Sequence, residues 1–165
     1  MKLKGFNPIN HAYAFRLNGY CYALKSSGVC SLKLTPAQAE EEYKKETTRF
    51  KEESVLYCRK LADFLIEKDY YNNSSKDPFP ISIYENNQCG HYTFNDGQHR
   101  TCIAKHLNIE YIEVDYQINE NGICSVCSIR RSEKEKNKHK WYEKLKFFKK
   151  KETPRTIIDD EYLYK

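Results

Sequence analysis

No window of this 165-residue chain approaches 18 uninterrupted apolar positions, so nothing in it reads as a helix that would span a bilayer. The first residues, MKLKGFNPIN, carry no apolar run behind their basic positions, which argues against a secretory leader. The expectation is a cytoplasmic protein with no membrane partner. No internal repeat is found, and no low-complexity tract beyond one lysine-rich run, which excludes solenoid and array architectures. Charge is not strongly one-sided either. Lys and Arg number 28 against 23 Asp and Glu, and the resulting +5 is too small to name a partner, so the distribution of charge matters more than its sum.

What is present describes a folded chain. Hydrophobic residues make up 39% and aromatics 14%, most of them tyrosine, enough for a core in one domain with or without an appendage. Seven cysteines are an odd number, and without a leader they read as reduced thiols or metal ligands rather than a disulfide framework.

Along the chain, Asn18-Gly19 lies between two Tyr-rich runs within residues 11–25, the pattern of a type I′ hairpin. VCSLKL, at 29–34, reads as a further short strand. Thr35-Pro-Ala-Gln38 then offers an N-cap, a proline at the first helical position and a glutamine three residues on, so a helix is expected from Pro36. Val55, Cys58, Leu61, Ala62 and Leu65 have the spacing of one buried helical face, and YNNSSKDPFP at 71–80 is a loop by composition. PISIYE and HYTFN read as strands joined by NNQCG. A short helix ending at Leu107 follows, and then a strand in which Ile112, Val114, Tyr116 and Ile118 alternate with polar residues, giving one buried face. From 130 to 151 the chain holds eleven Lys or Arg against three Glu, with Trp141, Leu145 and Phe148 spaced as a helical stripe.

The junction FNDGQHRTC, at 94–102, is electrostatically odd. It places His99 and Arg100 on the first turn of a helix, where about half a positive charge and unpaired N–H groups disfavour cations unless an anion joins them. Asp96 can cap, Gly97 can let backbone approach a ligand, and the first-turn amides with His99 and Arg100 form a phosphate cradle. Arginine can hold two phosphate oxygens, and an aspartate beside a phosphate is placed to take Mg²⁺. The competing reading is that Asp96 only caps, Gly97 only turns and both basic residues are solvated.

PISIY at 80–84, DGQHR at 96–100, IAKHL at 103–107 and YIEVDY at 111–116, with a helix at 52–68 before them, resemble the core of the ParB/sulfiredoxin superfamily over residues near 50–118. The resemblance implies an α+β fold: a small mixed sheet with helices, here with an N-terminal β-hairpin and a basic C-terminal helix. It divides the chain into an N-terminal hairpin and strand extension (1–34), a ParB/sulfiredoxin-like core (35–129) and a basic helical segment (130–165). It further implies a nucleoside triphosphate, ATP or CTP, held with Mg²⁺ for hydrolysis or phosphoryl transfer. Asp96, His99 and Arg100 would be catalytic, Gly97, Gln98, His99, Arg100 and Thr101 would hold the nucleotide, and Asp96 would hold the metal.

Departures narrow the activity. Gln98 stands where sulfiredoxins require a cysteine. Partition proteins carry a glutamate and a second arginine in the turn and a helix-turn-helix reader downstream, for which too few residues follow here. Closest in letters are DNA-defence proteins with DGQHR and free-serine kinases. Serine-kinase-like members suggest Glu52 or Glu53 as a base, whereas the helix dipole alone explains acidic residues there. The alternatives are a non-catalytic DNA-binding regulator and a ParB-like nuclease.

Two features lie outside that core. Cys124-x-x-Cys127 has zinc-knuckle spacing, and Cys89-x-His91 would complete four ligands if the two turns meet. Against this, CSVCSI reads as a strand, which points its thiols to opposite faces and leaves them buried or idle. Cys58 and Cys102 read as core residues and Cys21 as a hairpin side chain. The basic run could follow a nucleic-acid backbone with Trp141, Tyr142 and Phe147 stacking on bases, or its lysines could merely solubilise a packed helix.

Overall fold

The computed structural model describes residues 3–15, 21–25, 28–48, 50–140 and 157–158. Its centre is a four-stranded mixed sheet of β1 (Lys4–Phe6), β5 (Ile112–Asn119), β3 (Ile81–Asn86) and β4 (His91–Asp96), in that spatial order. The β3–β4 pair is an antiparallel hairpin, whereas β3 and β5 run parallel, so the chain crosses the sheet through α4 (Gln98–His106) between β4 and β5. On the two central strands Ile81, Ile83, Ile112 and Val114, alternate residues that share one face of the sheet, are all fully buried. A small two-stranded pairing joins β2 (Ala14–Phe15) to β6 (Ile157–Ile158).

The capping signal at Thr35 is realised in full. Its hydroxyl accepts from the Gln38 amide at 3.3 Å, and the Gln38 side chain accepts from the Thr35 amide at 2.9 Å, opening α2 (Pro36–Lys45). This helix and α3 (Val55–Glu67) are separate. Glu46, at the end of the first, accepts from the Ser54 hydroxyl at 2.9 Å and from the Val55 amide, so it tethers the start of the second. On α3, Val55, Cys58, Ala62 and Leu65 of the expected face are buried, with Ala62 and Leu65 meeting Ile103 of α4, whereas Leu61 stays half-buried.

Several local expectations yield to tertiary packing. Tyr22–Lys25, the second arm of the expected hairpin, is a short helix, α1, whose Ala23 and Leu24 are buried in the main core, and the Asn18-Gly19 turn lies outside the described residues. Cys21, expected as a hairpin side chain, instead packs half-buried against that core. Residues 29–34 are not a strand: Ser31–Lys33 form a 3₁₀ turn whose Ser31 and Leu34 carbonyls accept from Arg59 at 3.0 and 2.7 Å. The β5 alternation fails at Ile118, which is 53% exposed and lies beyond the Ile112–Val114 stretch that pairs with β1. The helix expected from residue 52 begins at Val55, after a 3₁₀ turn at Lys51–Glu53. CSVCSI is not a strand but the start of α5 (Ser125–Lys140). Of the basic segment, residues 141–156 and 159–165 lie outside the described residues, Trp141, Tyr142, Leu145, Phe147 and Phe148 among them. Among the described residues no helix is long and apolar enough to cross a membrane.

Two histidines carry a pH dependence. Burial lowers the pKa of His11, which stacks on Phe6 at 4.6 Å and lies tilted against Tyr92 at 4.3 Å, and Lys105 adds to that while Glu85 opposes it. Burial also lowers His106, beside Lys33 and Arg59. In the unfolded chain these imidazoles protonate as pH falls through about 6.5, while the folded ones lag behind. The unfolded state then binds more protons, so stability is expected to fall as pH drops from about 7 to 5. Urea midpoints at both pH values should diverge less in a His11→Gln/His106→Gln variant; an unchanged divergence would refute the assignment.

Candidate functional site

A cleft of about 810 Å³ opens in front of the β4–α4 junction. Asp96, Gly97, Gln98, His99 and Arg100 line one wall, Glu52 reaches it from the turn before α3 and Tyr57 from α3 itself, and Asn86, Thr93 and Asn119 come from the sheet. Its far end is bounded by Cys124 and Ser125 at the start of α5. The volume is that of a cofactor-sized site.

Gly97 makes the junction geometrically feasible. It has φ +85°, and a Cβ there would lie 2.8 Å from Ile81 Cγ1, so its lack of a side chain serves contact with β3 rather than approach to a ligand. Asp96 does not cap the helix in the usual way: its Oδ1 accepts from the next amide, Gly97, at 2.7 Å, and its side chain stays 63% exposed at the cleft.

Arg100 is neither solvated nor held open. Its Nη1 donates to Asp77 Oδ2 at 2.5 Å, to the Tyr70 hydroxyl at 2.8 Å and to the Phe79 carbonyl at 2.8 Å, while Nη2 donates to Asp96 Oδ2 at 3.1 Å. The Tyr70 hydroxyl in turn donates to Asp77, and the Tyr71 hydroxyl donates to the Arg100 carbonyl at 2.7 Å. Burial, with the bond to Asp77, pushes Tyr70 up to about 12. Two carboxylates therefore supply the anion that this helix start calls for. The 70–79 loop is pinned to α4 by them, and Asp77, Tyr70 and Tyr71 could not be found from local spacing because they lie 23 to 30 residues away in sequence.

Thr101, expected to touch a ligand, is fully buried, and its hydroxyl donates to the Gly97 carbonyl at 3.1 Å, so it closes the first helical turn. His99 faces the cleft with its ring edge-on to Tyr57 at 5.0 Å and its Nδ1 3.1 Å from Cys58 Sγ. Burial pushes the Cys58 thiol well above its ordinary range, helped by Cys21 and Cys30. Of the two glutamates considered as bases, Glu53 is buried, ion-paired to Lys25 at 3.1 Å and bonded by the Thr48 hydroxyl at 2.8 Å, which removes it from the chemistry. Glu52 alone lines the cleft.

The two cysteine motifs meet. Donor atoms of Cys89, His91, Cys124 and Cys127 all lie within 4.8 Å of one another, with His91 Nδ1 at 3.5 Å from Cys124 Sγ and 3.2 Å from Cys127 Sγ. Burial pushes the Cys124 thiol up to about 12 and raises Cys127, whereas at Cys89 burial, which raises, is outweighed by hydrogen bonds from the Cys124 and His91 amides and the Cys124 and Cys127 side chains together, which lower it. The expected opposition of the two thiols fails because residues three apart at a helix start share a face, whereas residues three apart in a strand point to opposite faces.

This chain matches no family model, no curated protein and no solved structure. Function is therefore read from the site itself.

Proposed function

We propose that the cleft binds the phosphates of a nucleoside triphosphate, ATP or CTP, with Mg²⁺, for hydrolysis or phosphoryl transfer. The observation that carries this is a nucleotide-sized cleft whose wall is a strand–glycine–helix junction with Asp96, Gln98 and His99 turned to it. Amides of a first helical turn have no partner inside the helix and suit phosphate oxygens. Asp96 and Glu52 would repel a bare triphosphate, and a divalent cation between carboxylate and phosphate removes that repulsion. Asp96 is thus the metal ligand, Gln98 and His99 orient phosphate, and Glu52 is the base within reach of an attacking hydroxyl or water. Arg100, committed to Asp77 and Asp96, positions the turn, as Thr101 does from beneath. The resemblance to ParB/sulfiredoxin proteins points the same way.

A second reading, a regulator that meets DNA phosphate at the same turn, is favoured by one placement. Helix α5 starts at the cleft and carries exposed Arg131, Lys134 and Lys136 away from it. Thermal midpoints with ATP, CTP or duplex DNA, each with and without Mg²⁺, separate the two. Nucleotide with Mg²⁺ at about 100 times its Kd should raise the midpoint by roughly 5 °C or more, and Asp96→Ala should abolish the rise. A rise with DNA alone supports the regulator, and nicking of plasmid with Mg²⁺ or Mn²⁺ a nuclease. If no nucleotide or DNA moves the midpoint, the cleft has neither role.

A further inference from the structure

We propose that Cys89, His91, Cys124 and Cys127 bind one zinc ion that fastens the start of α5 to the β3–β4 turn. Zn–S bonds of about 2.3 Å and Zn–N bonds of about 2.0 Å in a tetrahedron imply S···N edges of about 3.5 Å and S···S edges of about 3.8 Å. The sulfur–imidazole separations of 3.5 and 3.2 Å and the 4.8 Å outer limit on all four donors already match that size, so closing on a metal needs shifts of at most about an ångström.

The two donor pairs are brought together by backbone, not by chance rotamers. The Gln88 amide donates to the Gly122 carbonyl at 3.1 Å and the Asn87 amide to the Asn119 carbonyl at 3.2 Å, which ties the turn before Cys89 to the loop before Cys124. Within the site, the Cys124 amide donates to Cys89 Sγ at 3.3 Å and the Cys127 amide to Cys124 Sγ at 3.4 Å. Three thiolates and a neutral imidazole around a divalent ion leave one negative charge. Those N–H donors and the positive end of α5 offset it.

The donor set decides the metal. Sulfur and imidazole exclude Mg²⁺ and Ca²⁺, which need oxygen ligands, and four protein donors leave no open position for a reacting water. The role is structural. Fully buried Val126 and the 3%-exposed Ala14 pack against the buried Cys124 of the cluster. A disulfide between two of these thiols would leave the third thiol and His91 converging for no reason, which favours the ion over a redox pair. Because Cys124 also bounds the cleft, the zinc fixes that wall and sets where the basic helix leaves the domain.

The test is elemental analysis of the full chain, purified under reducing conditions without chelator. About one zinc per chain is expected, falling to near none in Cys124→Ser and His91→Ala and unchanged in Cys102→Ser, whose thiol lies outside the cluster. Should the cluster variants fail to fold, the wild-type chain still decides the matter: after chelation, added Co²⁺ should give the thiolate charge-transfer and tetrahedral d–d absorption bands. Any of four results overturns the proposal: no metal in the native chain and no cobalt bands, bound iron with visible absorption in place of zinc, a two-hydrogen mass loss marking a disulfide, or equal zinc loss in Cys102→Ser.

Discussion

Replacing Arg100 with alanine is expected to cost about 3 kcal/mol of folding stability in the absence of any ligand, because it leaves the partly buried Asp77 carboxylate without its counter-ion and the Phe79 carbonyl without this donor. The Asp77 and Arg100 side chains are each only 16% exposed, and three acceptors converge on one guanidinium nitrogen. An arginine that simply faced an absent phosphate would behave in the opposite way. As a cation at a helix start it would be unfavourable, and its removal would stabilise the chain by a few tenths of a kcal/mol. The sign of the change therefore separates a clamp from a waiting ligand. In a double-mutant cycle, Arg100→Ala and Asp77→Ala together should cost less than their sum, with a coupling of about 1–3 kcal/mol. Arg100→Lys should recover less than half of the loss, since a single ammonium cannot span Asp77 and Asp96 as the planar fork does. Urea unfolding of the five proteins, wild type included, measures all of this, and a stabilised or unchanged Arg100→Ala would return the residue to the ligand.

The electrostatic oddity of DGQHR was visible in the sequence; its resolution was not. Basic residues on a first turn require an anion, and the sequence states that requirement without saying who meets it. Asp77 lies in a loop whose position depends on how the chain folds back, and no periodicity marks it. The same division runs through the fold. Strands β3, β4 and β5, the capping box at Thr35 and the buried stripe of α3 were legible, because each is written in alternation, spacing or a cap within a few residues. Tyr22–Lys25 was not, because burying Ala23 and Leu24 in the main core favoured a short helix over the strand arm expected there. The Cys/His cluster fell between the two. Its spacing was readable, but whether two thiols three residues apart share a face depends on helix or strand, and the apolar letters of CSVCSI fit both.

Replacing Gly97 with alanine should be the other severe change, at about 3 kcal/mol, and it can be divided into two parts. The left-handed backbone, φ +85°, costs any side chain about 1 kcal/mol or somewhat more. Gly28 has nearly the same backbone, φ +84°, with nothing within 4 Å of an added Cβ, so Gly28→Ala reports that part alone. At Gly97 the methyl would also meet Ile81 Cγ1 at 2.8 Å, Cγ2 at 2.9 Å and Cα at 3.0 Å, and Ile81 is fully buried at the start of a central strand. It cannot swing away, so β3 and α4 must separate. The excess of Gly97→Ala over Gly28→Ala, about 2 kcal/mol in urea unfolding, measures how closely the turn is pressed to the sheet. Equal losses at the two positions would mean that the junction gives way easily. A wall that yields so readily could not hold Asp96, Gln98 and His99 in the fixed geometry that phosphate recognition demands.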